Sequence, residues 1–359
     1  MNWLESINID WPISRRRYYG TEIPIWYCKN CSEPHVPEPG KYYKPWMEKC
    51  PINQCSKCKT TEFVGEERTF DTWMDSSVSP LFVSKFNKDQ EFFNKVYPTT
   101  IRPQAKDIVR TWLYYTLLRC EQLTGKKPWS EAWIMGYGLD EKGMKMSKSK
   151  GNAIDPLPVI EQFGADTFRF WSASEINHGY DFRCNEQKIE STKKFLSKLW
   201  NVSRFLSSFP VIEAGTSTAT DKWILSELDN LIKECKKGYD EYNFFIPAIA
   251  IREFTWNLFA AHYIEMVKAR AYGIGFTDEE RDGAIYTLHK TLSTILKLLA
   301  PITPFITEHL WKTLYSSESI HKQHQVESES VHNQSKITKE ITEFNSKVWN
   351  EKKTKNLSL

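Results

Sequence analysis

Two cysteine pairs, Cys28-x-x-Cys31 and Cys55-x-x-Cys58, constrain this chain more than any other feature, and 23 residues separate them. Each knuckle sets two thiols on one tight turn, and two such turns offer four sulfurs to one tetrahedral ion. The stretch between them holds Pro34, Pro37, Pro39, Gly40, Pro45 and Pro51, which leaves it poor in helix. So small a segment has little apolar core, so a metal crosslink can supply its stability. Four thiolates leave no open coordination position, so the expected ion is a structural Zn2+ and not a catalytic one. Cys50 is a fifth candidate and leaves the ligand set ambiguous, and free structural thiols are the alternative.

The second feature is Lys145-Met146-Ser147-Lys148-Ser149-Lys150-Gly151-Asn152. Its shortness suits a loop. Asp140-Glu141-Lys142-Gly143 before it reads as a turn after a strand over 133–139, and Asp155-Pro156 after it reads as a helix cap followed by proline at the first helical position. Ammonium groups and hydroxyls on such a loop suit a polyphosphate, because they supply charge and directional donors together. A solvated lysine run is the plainer alternative.

Composition narrows the class. A chain of 359 residues suits two or three domains, and 40% hydrophobic residues with 14 Trp can build real cores. The balance of 48 basic against 45 acidic residues is too even to argue nucleic-acid binding from charge. No apolar run reaches the ~18 residues of a membrane span. Glu5 and Asp10 break any secretory pattern at the start, and the eight Cys read as reduced thiols, so a cytoplasmic location is expected.

Beyond residue 205 the pattern is helical. Pro, Gly, Ser and Thr from 209 to 220 mark a boundary. Ile224, Leu228, Leu231 and Cys235 follow helical spacing, as do Phe254, Leu258, Ala261 and Ile264, then Leu288, Leu292, Ile295 and Leu299. This predicts a helical bundle with His262 as a packed residue. Lys188, Lys193, Lys194 and Lys198 lie at helical spacing as a solvated face or an RNA contact.

The KMSKS run followed by Gly-Asn resembles the second ATP signature of the class I aminoacyl-tRNA synthetases. "WPISRRRYYG" with "IPIWYC" resembles the return from the editing domain in the valine-specific members. "DTWMDSS" and "RPQAKDIVRTW" resemble their catalytic motifs, "GADTFRFW" their stem-contact junction, and "HYIEMVKAR" with "LLAPITPFITEHLW" their anticodon-binding helices. The resemblance implies an α/β plus all-α chain: the second half of a Rossmann-type catalytic domain with a zinc-ribbon insertion, then a helical-bundle anticodon-binding domain. The implied segments are a return segment (1–20), a zinc-ribbon-like insertion (21–65), the half catalytic domain with its KMSKS loop (66–155), the junction (156–205), the bundle (206–315) and a polar, mobile tail (316–359).

The resemblance also implies roles. Lys145, Met146, Ser147, Lys148 and Ser149 would bind ATP, with Lys145 and Lys148 catalytic. Trp73, Ile108 and Trp112 would line a valine pocket, and Asp107 would sit near the adenylate. Ile108 and Trp112, four residues apart, are expected on one helical face. The implied cofactors are ATP as substrate, Mg2+ and a structural Zn2+ on Cys28, Cys31, Cys55 and Cys58; the implied partners are valine and tRNA(Val), with no membrane. An apolar pocket cannot strongly reject threonine, which is isosteric with valine. Two departures stand out. The family's His-x-Gly-His motif does not occur, since His178-Gly179 lacks the second His, and no stretch has room for an editing domain. The expectation is therefore a fragment or one subunit of a split synthetase, with a separate chain supplying the first half and little activity alone. A non-catalytic tRNA-binding module and a zinc-ribbon protein of unrelated chemistry are the alternatives.

Overall fold

The computed structural model describes residues 5, 10–17, 20–324, 326–328, 337–355 and 357. The chain divides into two compact units, residues 1–135 and 136–359.

The first unit opens with a small antiparallel sheet in which β1 (Trp26–Cys28) lies between β2 (Pro34–His35) and β3 (Phe63–Gly65). Trp26 and Cys28 point inward and are buried. Gly65 is required here, because a Cβ would stand 1.9 Å from the Pro45 carbonyl oxygen. Three short helices follow, Thr72–Ser76, Ser79–Val83 and Gln90–Val96; the Asp89 carboxylate caps the last by accepting from the Phe92 amide at 3.0 Å. Then β4 (Thr99–Ala105) pairs in parallel with β5 (Trp129–Met135) through a crossover helix, Tyr114–Thr124, closed by Gly125 at φ 68°.

Two expectations change in this region. The strand read over 133–139 is two strands, since β5 stops at Met135 and β6 is Gly138–Leu139. The Tyr180 carbonyl presses on Gly136, where a Cβ would lie 1.9 Å from its oxygen, and the chain turns there. The segment expected as one α-helix face is a 3-10 turn, Lys106–Ile108, followed by a π turn, Val109–Leu113. The α-helical spacing of Ile108 and Trp112 therefore does not describe this segment.

In the second unit, β6 pairs in parallel with β7 (Phe182–Arg183). Asp155 caps the helix Pro156–Phe163 as expected, accepting from the Leu157 amide at 3.0 Å. The next helix, Ala165–Glu175, is tied to the bundle at two points. Its Asp166 carboxylate accepts from the first-turn amide of Ile306 at 2.6 Å, and its Arg169 guanidinium donates to the carbonyls of Ile302 and Pro301 at 2.9 and 3.0 Å. The bundle is built from the helices Glu186–Leu206, Ala219–Asp240, Phe245–Glu253, Ile264–Ala271, Asp278–Leu299 and Pro304–Leu314. Leu288, Leu292, Ile295 and Leu299 are fully buried, as their spacing requires. Between 254 and 263 a π-helical stretch shifts the pattern: Leu258 and Ala261 are only half-buried, while Phe259, Ala260 and Tyr263 turn inward.

The tail read as polar and aperiodic carries a helix, Thr338–Thr354. Its Trp349 stacks on the buried His262 with centroids 4.9 Å apart, and its Asn345 amide approaches the Met266 sulfur at 3.1 Å. Part of that tail lies outside the described residues. Among the described residues no helix is long and apolar enough to cross a membrane.

The bundle encloses an ion pair, Asp221 with Arg270 at 2.5 Å, both nearly without solvent contact. The Tyr263 hydroxyl donates to the same carboxylate at 2.5 Å, and the Thr218 amide donates to it at 2.8 Å as part of a capping box. Replacing Asp221 with Asn strands a buried guanidinium. Urea unfolding should show a loss of about 3–5 kcal/mol in this unit; a loss below about 1 kcal/mol would mean that water reaches Arg270 freely.

Candidate functional site

The lysine-rich run forms a loop between β6 and the helix Pro156–Phe163. It is held by its ends and by two polar side chains. Leu139 bridges to Lys145, and the Met146 amide donates to the Gly138 carbonyl at 3.0 Å. The Met146 side chain packs against a core of Val159, Trp171, Cys184 and Ile189. Gly138 allows this approach, since a Cβ would fall 2.7 Å from the Met146 methyl.

Asp140 and Asn152 close the loop. One Asp140 oxygen accepts from the amides of Lys142 and Met144 at 3.0 and 2.8 Å, and the other accepts from the Asn152 side chain at 2.8 Å. Asn152 in turn accepts from the Ser147 amide at 2.9 Å and donates to the Lys145 carbonyl at 3.3 Å. The Asn152 amide, and then the Met144 backbone, hold the Asp140 carboxyl below its usual range. The Ser147 and Ser149 hydroxyls are 3.3 Å apart. Lys148–Lys150 is a 3-10 turn that ends at Gly151 with φ 66°. Lys145, Lys148 and Ser149 are exposed, and the Lys145 ammonium lies 4.0 Å from the centre of the Tyr137 ring.

In the first unit the two tryptophans sit on adjoining segments. The Trp112 indole N–H donates to the Ser76 carbonyl at 3.3 Å, on the helix that carries Trp73. Arg119 fastens the same helix to the crossover helix, donating to the Met74 carbonyl at 2.7 Å and to the Ser77 hydroxyl at 3.1 Å. Trp73, Ile108 and Trp112 are half-buried, and Asp107 is exposed on the 3-10 turn. Sequence reasoning missed the second anchor of Trp112. Arg102 on β4 is buried, with its guanidinium carbon 3.1 Å from the centre of that indole; a charged residue inside a strand with apolar flanks was the available signal.

The four knuckle sulfurs lie within 4.8 Å of one another. Cys28 and Cys58 are 3.4 Å apart, and Cys31 and Cys55 are 3.6 Å apart. Sulfurs bound tetrahedrally to zinc at ~2.3 Å are spaced by roughly 3.8 Å, so this set fits such an ion. Burial raises the Cys55 thiol, but the Cys58 backbone and the His35 ring outweigh it and bring it down to about 5. Cys50 is not among these four clustered sulfurs.

Comparison with known proteins follows from this geometry. Residues 1–184 match the family model of tRNA synthetases class I (I, L, M and V), and residues 221–359 match the anticodon-binding domain of tRNA ligase. The chain belongs to the class I tRNA synthetases. It is 46% identical over 329 residues to a valine–tRNA ligase of Aeropyrum pernix, covering 90% of this chain and 40% of that protein. A valine–tRNA ligase of Pyrobaculum aerophilum is also 46% identical, over 331 residues, with 90% and 41% covered. The chain thus spans about 40% of the length of the curated relatives it matches. An Agrobacterium radiobacter LeuRS, solved as a ternary complex with tRNA and LeuAMS, superposes with a TM-score of 0.66 at 22% identity, covering 89% of this chain and 42% of that one. A methionyl-tRNA synthetase of Mycobacterium tuberculosis gives 0.59, with 72% and 52% covered. The resemblance read from the motifs, to the valine-specific members of this synthetase class, is borne out by these relatives.

Replacing Asn152 with Ala removes three of the contacts that close the synthetase loop. Trypsin should then cut after Lys148 or Lys150 about tenfold faster, as expected for the loss of about 1–1.5 kcal/mol of local restraint, with other sites unaffected. Equal cleavage rates would show that the loop is held elsewhere.

Proposed function

We propose that this chain carries the second ATP signature, the amino-acid pocket wall and the anticodon-binding helices of an enzyme that joins valine to tRNA(Val). The observation that carries the reading is the clasped loop. Its backbone is fixed by Asp140 and Asn152, while Lys145 and Lys148 reach solvent. The reaction has two steps. Valine's carboxylate attacks the α-phosphorus of ATP, and the bond to the β-phosphate breaks with release of pyrophosphate. A terminal ribose hydroxyl of the tRNA then attacks the acyl carbon, and AMP leaves. Neither step needs an enzyme nucleophile, so catalysis is positioning plus charge stabilisation. Lys145 and Lys148 meet the negative charge that grows on the leaving pyrophosphate. Mg2+ enters with the nucleotide. Asp107, exposed on its turn, faces the adenylate side of the pocket in this reading.

Trp73, Ile108 and Trp112 form an apolar wall suited to a small branched side chain. The cysteine quartet takes a structural zinc that cross-links the two knuckles of a zinc-ribbon-like insertion. Lys193, Lys194 and Lys198 line a shallow groove of about 330 Å³ with Trp256, a surface suited to an RNA backbone.

Two measurements test this. A chimera in which the chain replaces the matching 329 residues of the Aeropyrum pernix relative should catalyse valine-dependent ATP–pyrophosphate exchange. Lys148→Ala in that chimera should lower kcat about 10²–10³-fold, as for removal of one preorganised charge contact, and leave valine KM within about twofold. Equal losses in both would remove Lys148 from this role. Separately, metal analysis of the purified chain should give one zinc per polypeptide, with Cys55→Ser lowering it below half. Full zinc retention by that variant would refute the quartet as the ligand set.

A further inference from the structure

Arg102 is the least expected buried residue in the first unit. It is 6% exposed, and none of its three guanidinium nitrogens has a hydrogen-bond partner among the described residues. A buried cation without an acceptor is costly, and a hydrophobic residue of similar volume is the usual replacement. What Arg102 does have is two indoles. Its guanidinium carbon lies 3.1 Å from the centre of the Trp112 ring and 4.6 Å from that of Trp129, which opens the neighbouring strand β5. Desolvation lowers its basicity to about 10, so it stays charged at neutral pH and is attracted to the ring faces.

The Trp112 indole is therefore pinned twice. Its N–H edge is fixed by the Ser76 carbonyl, which leaves rotation about that bond. A guanidinium held over the ring face at this distance opposes that rotation, and a more flexible side chain opposes it less. We propose that Arg102 is a positioning residue of the amino-acid pocket: its guanidinium, packed over the Trp112 ring, sets the tilt of that indole, and so the width available to the bound side chain. This rests on the reading of Trp73, Ile108 and Trp112 as that pocket.

The test compares Arg102→Met and Arg102→Lys with the unmodified chimera in valine- and isoleucine-dependent ATP–pyrophosphate exchange. Methionine removes the charge and the plane; lysine keeps the charge alone. Arg102→Met is expected to raise valine KM about tenfold with kcat within about twofold. It should also lower the valine-over-isoleucine ratio of kcat/KM about tenfold, the discrimination carried by roughly one methylene. Arg102→Lys should lower that ratio by an intermediate amount. An unchanged ratio, or a fall in kcat with KM and ratio intact, is the result of a purely structural residue and overturns the proposal. If Arg102→Met does not fold, the ratio in Arg102→Lys decides alone. If the unmodified chimera activates no valine, the pocket reading fails, and this inference with it.

Discussion

Lysines can serve an incoming phosphate only if the backbone that presents them is held by other groups. In the 140–152 loop the task falls to Asp140 and Asn152. Asp140 spends its carboxylate on the amides of Lys142 and Met144 and on the Asn152 side chain. Asn152 answers with bonds to Ser147 and Lys145 on the backbone. The half-buried Met146 side chain anchors the loop to the core beneath. Order in the loop backbone thus comes from a carboxylate, a side-chain amide and a thioether.

The same division of labour runs through the arginines. Arg119 ties the Thr72–Ser76 helix to the crossover helix, and Arg169 ties the junction to the bundle, each by donating to backbone carbonyls. Arg270 pairs with Asp221 inside the bundle. Their forked donors can bridge two elements at once, which lysine cannot do with fixed geometry. Arg102 differs in having no hydrogen-bond acceptor among the described residues while two indole rings lie against it, and that difference makes it informative.

Much of this was legible in the sequence, for identifiable reasons. The cysteine knuckles, the Asp155-Pro156 cap and the buried periodicity of 288–299 are local patterns, and each appears where the residues require it. The misses are positions where a distant group overrides the local pattern. Gly136 breaks an apparent strand because a carbonyl from residue 180 presses on it. The π stretches at 109–113 and 254–263 change the period that spacing arguments assume. The tail helix looks aperiodic because it buries little, Asn345 alone fully, and leans on His262 through one indole.

The π turn at Val109–Leu113 bears on the proposed pocket in a way that spacing could not reveal. An added residue in one helical turn rotates everything after it relative to everything before. Ile108 ends the 3-10 turn just before the bulge and Trp112 lies within it, so their relative direction is set by the bulge and not by an α-helical period. A bulge also interrupts the α-helical hydrogen-bond ladder, and here groups outside the turn contact its indole. The Ser76 carbonyl and the Arg102 guanidinium both contact the Trp112 indole on that bulge. The irregular turn thus supplies direction, and two distant groups supply contacts to the ring that it carries.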